Sequence, residues 1–107
     1  MQLMTKDLQE KFPGLYETEG KPPDEVMVQA KFFNPCGAGT WFAVEFDPEE
    51  RIFFGYANLG DDQNAELGYF SLDELESVRL PFGLTIERDL HFGDHTLAEV
   101  MKRKGNL

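Results

Sequence analysis

Thr40-Trp41-Phe42-Ala43-Val44-Glu45-Phe46-Asp47-Pro48-Glu49-Glu50-Arg51-Ile52-Phe53-Phe54-Gly55-Tyr56-Ala57-Asn58 decides the fold. Apolar residues recur at every second position on both sides of Pro48-Glu49-Glu50, the period of a half-buried strand. Phe42, Val44 and Phe46 are expected to face in, with Trp41, Ala43, Glu45 and Asp47 facing out. Ile52, Phe54 and Tyr56 are the inward set of the returning strand. A two-residue loop would pair Asp47 with Glu50 and Phe46 with Arg51, and Pro-Glu is poor tight-turn chemistry. A three-residue loop, Pro48–Glu50, pairs Asp47 with Arg51 and places Phe46 by Ile52, Val44 by Phe54 and Phe42 by Tyr56. The hydrophobic match selects that register, although Glu50 is ill suited to the left-handed position such a loop wants.

Outward from the hairpin, Val26 to Phe33 alternates and predicts a preceding strand, with Val26, Val28, Ala30 and Phe32 on one face. Glu66 to Phe70 predicts a short strand after the polar loop 58–64, and Leu84 to Phe92 a further one. Thr5 caps a helix to about Phe12, which Pro13-Gly14 stops. Residues 16–25, with Gly20, Pro22 and Pro23, form a loop. Two capping boxes, Ser71-Leu72-Asp73-Glu74 and Thr96-Leu97-Ala98-Glu99, open helices to about Val78 and Lys104. The whole chain, 1–107, is expected to be one α+β domain: a mostly antiparallel sheet of four to five strands with two to three short helices.

These residues also carry a family resemblance. Lys31-Phe32-Phe33, Trp41 with Glu45-Phe46-Asp47-Pro48, and Phe53-Phe54-Gly55 resemble the bacterial family called domain of unknown function 2958. The resemblance continues through Glu66-Leu67-Gly68-Tyr69-Phe70-Ser71-Leu72, Glu74-Leu75-Glu76-Ser77-Val78-Arg79, and Gly83-Leu84 with Ile86-Glu87-Arg88-Asp89. It implies a single small domain, often encoded in plasmids and other mobile elements. It carries over no catalytic residue, because the family has none defined.

The chain holds 20 acidic and 10 basic residues in 107, a net charge of −10. Such a chain repels nucleic acid, whose binding rests on Lys and Arg. Its 41% hydrophobic content exceeds that of a disordered acidic tail. Cys36 is the sole cysteine, the first residues lack a signal-peptide pattern, and no apolar run approaches the ~20 residues of a membrane span. A cytoplasmic location is the expectation.

The charge is not spread evenly. Residues 45–76 contain ten acids and one base, Arg51, for −9; residues 1–44 sum to −2 and residues 77–107 to +1. The candidate binding residues are Glu45, Asp47, Glu49, Glu50, Asp61, Asp62, Glu66, Asp73 and Glu76, with Trp41 as an aromatic anchor. Carboxylates so concentrated suit a basic protein surface, including a groove evolved for phosphates. The same concentration also suits a solvated face that keeps the chain soluble. The leading expectation is a non-enzymatic accessory protein of a bacterial mobile element, in its most concrete form a DNA-mimicking inhibitor of a host defence nuclease.

Two alternatives place the function elsewhere than in the acidic segment as a whole. A small-ligand or enzymatic domain would use the sheet face near Trp41 and Glu45, or the stretch His91 to His95. A homodimer subunit would bury Phe33, Trp41 and Phe53 between protomers, if no helix covers that face. His91, Asp94 and His95 have no zinc-site spacing, and no local motif pairs Cys36 with a histidine, so no catalytic residue, metal or cofactor is assigned. Gly37-Ala38-Gly39 precedes a strand rather than a helix and is not a phosphate loop.

Overall fold

The computed structural model describes residues 2–107. Five antiparallel strands form one sheet: β1 (Ala30–Phe33), β2 (Thr40–Asp47), β3 (Ile52–Asn58), β4 (Glu66–Ser71) and β5 (Glu87–Arg88). Their spatial order is β4-β3-β2-β1-β5. Three helices, α1 (Lys6–Lys11), α2 (Leu72–Ser77) and α3 (Leu97–Lys102), complete an α+β domain. Each begins as the sequence predicts. The side chains of Thr5, Ser71 and Thr96 accept from the backbone N–H of Leu8, Glu74 and Glu99.

The β2–β3 hairpin differs from expectation. Phe42 does lie opposite Tyr56, but the register skips one residue between Ala43 and Glu45, a β-bulge at Val44. Beyond it Glu45 pairs with Phe54, Phe46 with Phe53 and Asp47 with Ile52. The loop therefore has four residues, Pro48–Arg51, and Arg51 rather than Glu50 takes the left-handed conformation (φ 57°). The Arg51 N–H closes the turn on the Asp47 carbonyl at 2.8 Å. One extra residue in β2 thus absorbs the longer loop without breaking the pairing on either side of it.

Both faces of the sheet are covered, so the inward-and-outward reading of the hairpin does not hold. One core gathers Ala30, Phe32, Ala43, Phe46 and Phe53 under Leu3, Met4, Leu72, Leu75 and Ile86, with Leu8, Phe12 and Trp41 at its margin. Phe53 is the hub of its rings, tilted against Phe12, Phe32, Phe46 and Phe70 at 4.7–5.5 Å between centroids. The second core gathers Val26, Val28, Phe42, Val44 and Tyr56 under Leu97 and Val100. Phe53 is therefore core material beneath the N-terminal segment and α2, and Trp41 packs half-buried against the margin of that core. Phe33 lies on the other face, where the Lys31 ammonium approaches its ring. The three do not form the single exposed face that the homodimer alternative requires.

Two predicted strands are shorter than expected. Val26 to Val28 lies outside the main sheet and pairs with the start of α3: Leu97 donates to the Val26 carbonyl at 2.8 Å and Val28 to that of His95 at 3.0 Å. The chain changes partner before β1. Val26 and Val28 consequently enter the second core, while Ala30 and Phe32 enter the first. Of Leu84 to Phe92 only Glu87 and Arg88 pair. The Asp89 carboxylate accepts from the His91 N–H at 2.9 Å, a side-chain turn that ends the strand.

Candidate functional site

The acidic residues fall at two separate ends of the sheet. Asp47, Ile52 and Ser71 form one row across β2, β3 and β4, which places the hairpin tip beside the first turn of α2. Helix α2 buries Leu72 and Leu75, three apart, so Asp73, Glu74 and Glu76 face solvent. Asp47, Glu49 and Glu50 belong to the tip; Glu49 and Glu50 are exposed. One end of the molecule thus collects six carboxylates; Arg79, just past α2, donates to the Glu76 carbonyl at 2.9 Å, and a second guanidinium lies among the carboxylates themselves.

That guanidinium belongs to Arg51, and its partners are not the predicted one. Its Nε lies 2.6 Å from Asp73 Oδ1 and its Nη2 2.7 Å from Glu76 Oε1. The hydrogen bond that Arg51 donates to the Asp73 carboxylate raises the Arg51 pKa above its ordinary value, with further support from the charges of Asp73 and Glu76. Asp47 instead accepts the Glu49 N–H at 3.0 Å. The expected Asp47–Arg51 hairpin pair gives way because the four-residue turn carries Arg51 towards α2.

Asp61, Asp62 and Glu66 lie at the far end of β3, about 20 Å away at ~3.3 Å per residue along the strand. Asp61 accepts from the Gln63 N–H, and Asp62 from Asn58 Nδ2 at 2.7 Å. Both carboxylates hold a loop in shape. Glu66 pairs across the strands with Ala57 and is exposed.

Glu45 does not join either group. The bulge turns it onto the second-core face, and it is 3% exposed. Its carboxylate accepts the backbone N–H of Tyr16 and of Thr18, each at 2.9 Å, and the Thr18 hydroxyl. Just beyond it the Phe46 N–H donates to the Pro13 carbonyl at 2.9 Å. Residues 13–18 therefore lie along β2 past the end of β1, tied there by a buried carboxylate. Glu45 is a positioning group for this loop, not a surface ligand. Trp41 is likewise half-buried against the first core, not a free anchor.

The loop that Glu45 holds forms one wall of a cleft of about 330 Å³. Val26, Phe54 and Leu97 line it, with Tyr16 on the loop side and Leu67 and Tyr69 from β4. Tyr16, Leu67 and Tyr69 are 62%, 39% and 56% exposed. The Tyr69 hydroxyl titrates above the usual phenol range. Local desolvation is the main cause, followed by its hydrogen bond with Tyr16 and the charges of Glu45 and Glu19. Tyr16 itself has a left-handed backbone (φ 71°), sparsely populated for a non-glycine residue. Sequence reasoning did not find this cleft. The alternation of Leu67 and Tyr69 puts both on one face, but only the loop crossing to Glu45 makes a cleft of it.

The remaining candidates stay apart. His95 Nδ1 lies 2.8 Å from Glu99 Oε2, and its ring meets that of Phe92 in a tilted contact, 4.5 Å between centroids. Among the described residues no three His, Cys, Asp or Glu side chains are grouped to hold a metal ion. Cys36 is exposed, with the Pro81 carbonyl 4.0 Å from its sulfur. No helix among the described residues is long and apolar enough to cross a membrane.

A family model described as "Protein of unknown function (DUF2958)" matches residues 3–104. The chain belongs to that family. No curated protein and no solved structure matches it.

Proposed function

We propose that this DUF2958 protein is a non-enzymatic interaction module that binds a basic protein surface through the acidic end of its sheet. The observation that carries the reading is the convergence of Asp47, Glu49 and Glu50 with Asp73, Glu74 and Glu76, which the fold brings together from two segments. Carboxylates focused at one end attract a basic partner over a distance set by ionic strength and fix its orientation on contact. The most concrete partner is the phosphate-binding groove of a defence nuclease, met by an accessory protein of a mobile element. Asp61, Asp62 and Glu66 would have to meet a second patch of such a groove, since they sit at the opposite end. An enzymatic reading has less support, because both oxygens of Glu45 are engaged by the 16–18 backbone.

The test uses Glu49→Lys/Glu50→Lys, with complexes purified from a host that carries the gene and identified by mass spectrometry. Both side chains are exposed, so the fold is expected to persist. A basic partner is expected that dissociates with rising salt and is lost from the variant. A partner retained unchanged by the variant, or no partner at all, refutes the proposal.

A further inference from the structure

We infer that the outer edge of β4 accepts an extended segment of the partner protein as a sixth strand, with apolar side chains seated in the cleft and basic ones beside the acidic edge. This deepens the reading above and rests on it in one respect: the partner is basic.

The edge itself is the first argument. An unpaired strand edge is a template for another chain, and natural proteins blunt it with Pro, Lys, bulges or brevity. The opposite edge is blunted: β5 has two residues. β4 has six, Glu66–Ser71, with neither Pro nor Lys, and its register with β3 runs unbroken from Glu66 to Ser71. Among the described residues, no segment other than β3 forms backbone hydrogen bonds with residues 66–70.

The second argument is what lies beside the edge. In strand addition the main chain supplies hydrogen bonds, and pockets for alternate side chains supply specificity. Leu67 and Tyr69 both point to the cleft face, and the cleft adjoins them along the strand. Its apolar floor of Phe54, Val26 and Leu97 suits the inward side chains of an added strand. Between the two, none of the described residues except its chain neighbours comes within 4 Å of where a side chain on Gly68 would start, so the opposite face of the edge is open there as well.

Charge selects the occupant. Glu66 begins the strand, and Asp73 and Glu74 follow it on the first turn of α2. The cleft lining adds Glu19, Lys21 and the buried Glu45, two acids against one base. A second copy of this chain would bring two molecules of charge −10 together and set these acids against each other. A strand alternating apolar residues with Lys or Arg satisfies both the cleft and the acids.

The experiment selects a displayed random nonapeptide library on the full chain and then makes the winning peptide synthetically. Winners are expected to alternate apolar with basic residues and to shift the amide resonances of residues 66–71. Methylating alternate peptide amides, which removes the strand-pairing donors, is expected to weaken binding by about tenfold at each. The intervening positions are expected to change by less than about twofold. Leu67→Glu and Tyr69→Glu, both exposed and so tolerated by the fold, are expected to weaken it comparably. An empty selection, a methylation scan without alternation, or self-association of the chain through β4 overturns the inference. If Glu49→Lys/Glu50→Lys releases a basic partner while the methylation scan is flat, the strand site alone fails. If alternation is found and those reversals leave a partner bound, the acidic end alone fails.

Discussion

Replacing Gly55 with alanine tests the hairpin register and the bulge in one step. Gly55 lies in β3 between Ala43 of β2 and Gly68 of β4. A Cβ added there would stand 1.9 Å from the Phe42 carbonyl oxygen, 2.9 Å from its carbon and 3.0 Å from the Ala43 Cα. All three are backbone atoms, so no side chain can swing away. Glycine within a strand often marks such a close approach of backbone, and the bulge at Val44 increases the local twist that brings it about. The strands would have to part by about 1 Å at the centre of the sheet. Overpacking a well-filled core costs about 1–3 kcal/mol, occasionally more. Stretching the adjoining ladder adds hydrogen bonds worth about 0.5–1.5 kcal/mol each. A loss of about 3 kcal/mol or more is expected for Gly55→Ala, a large part of the roughly 5–15 kcal/mol that holds a domain folded.

Gly68 supplies the internal control, because it faces Gly55 across the β3–β4 pairing and has open space. Its backbone is not left-handed, so Gly68→Ala stiffens the unfolded chain without strain and gains about 0.4–1 kcal/mol. Urea unfolding followed by the fluorescence of Trp41, the single tryptophan, and checked by far-UV circular dichroism gives both values. At ~4–8 °C per kcal/mol, Gly55→Ala also lowers the melting temperature by about 12 °C or more. If Gly55→Ala unfolds within about 1 kcal/mol of the natural chain, or if the two glycines respond alike, the register and its close approach are wrong.

Two further outcomes follow from buried polar groups. Glu45→Ala strands the amides of Tyr16 and Thr18, at an expected cost of about 2–4 kcal/mol. In hydrogen exchange those two amides are expected to lose protection ahead of β3, and retained protection would refute the anchoring role. The Tyr56 phenol, 5% exposed, is pushed above its ordinary pKa by burial first and by Asp62 second. The folded state therefore holds that proton more tightly than the unfolded state, and stability is complete below about pH 10, the unfolded value, and falls as pH rises through the folded one. Tyr56→Phe is expected to blunt this alkaline loss, which urea titrations detect above about pH 10. An unchanged slope would place its origin elsewhere.

The elements of this fold were legible where a local rule acts alone. Thr5, Ser71 and Thr96 cap their helices as read, because a side-chain oxygen three residues before an amide needs no tertiary partner. Phe42 opposite Tyr56 was also legible. The rest of the hairpin was not, since alternation carries no mark for one extra residue, and Val44 looks the same bulged or paired. Faces were harder still. A strand buried on one side and a strand buried on both can share a pattern, and here Ala43 and Phe53 were read as outward although both are fully buried. The acidic residues were legible as a segment but not as a surface. Sequence proximity merged Asp61 and Asp62 with Glu49 and Glu50, and the length of β3 separates them. Glu45, the most buried of the acids named, was misread because its partners Tyr16 and Thr18 lie almost thirty positions away.

The acidic end has two origins that folding tells apart. A six-residue helix is too short to persist alone, so α2 depends on its Ser71 cap and on Leu72 and Leu75 in the core. Asp73 and Glu74 suit its first turn, where carboxylates stabilise the helix. Glu76, with Asp73, holds Arg51 across the hairpin. Asp47 closes on the Glu49 amide. Each of these four carboxylates thus has a structural reason to be acidic. Glu49 and Glu50 have none: their side chains are exposed, and a turn position does not call for a carboxylate. Their reversal therefore separates binding from stability. Unfolding free energy is expected to stay within about 0.5 kcal/mol, as for surface substitutions away from special features. Partner affinity falls, and falls less as salt rises. A loss of binding that salt does not modulate would mean that the two glutamates act by shape, and the electrostatic reading of the acidic end would fail with it.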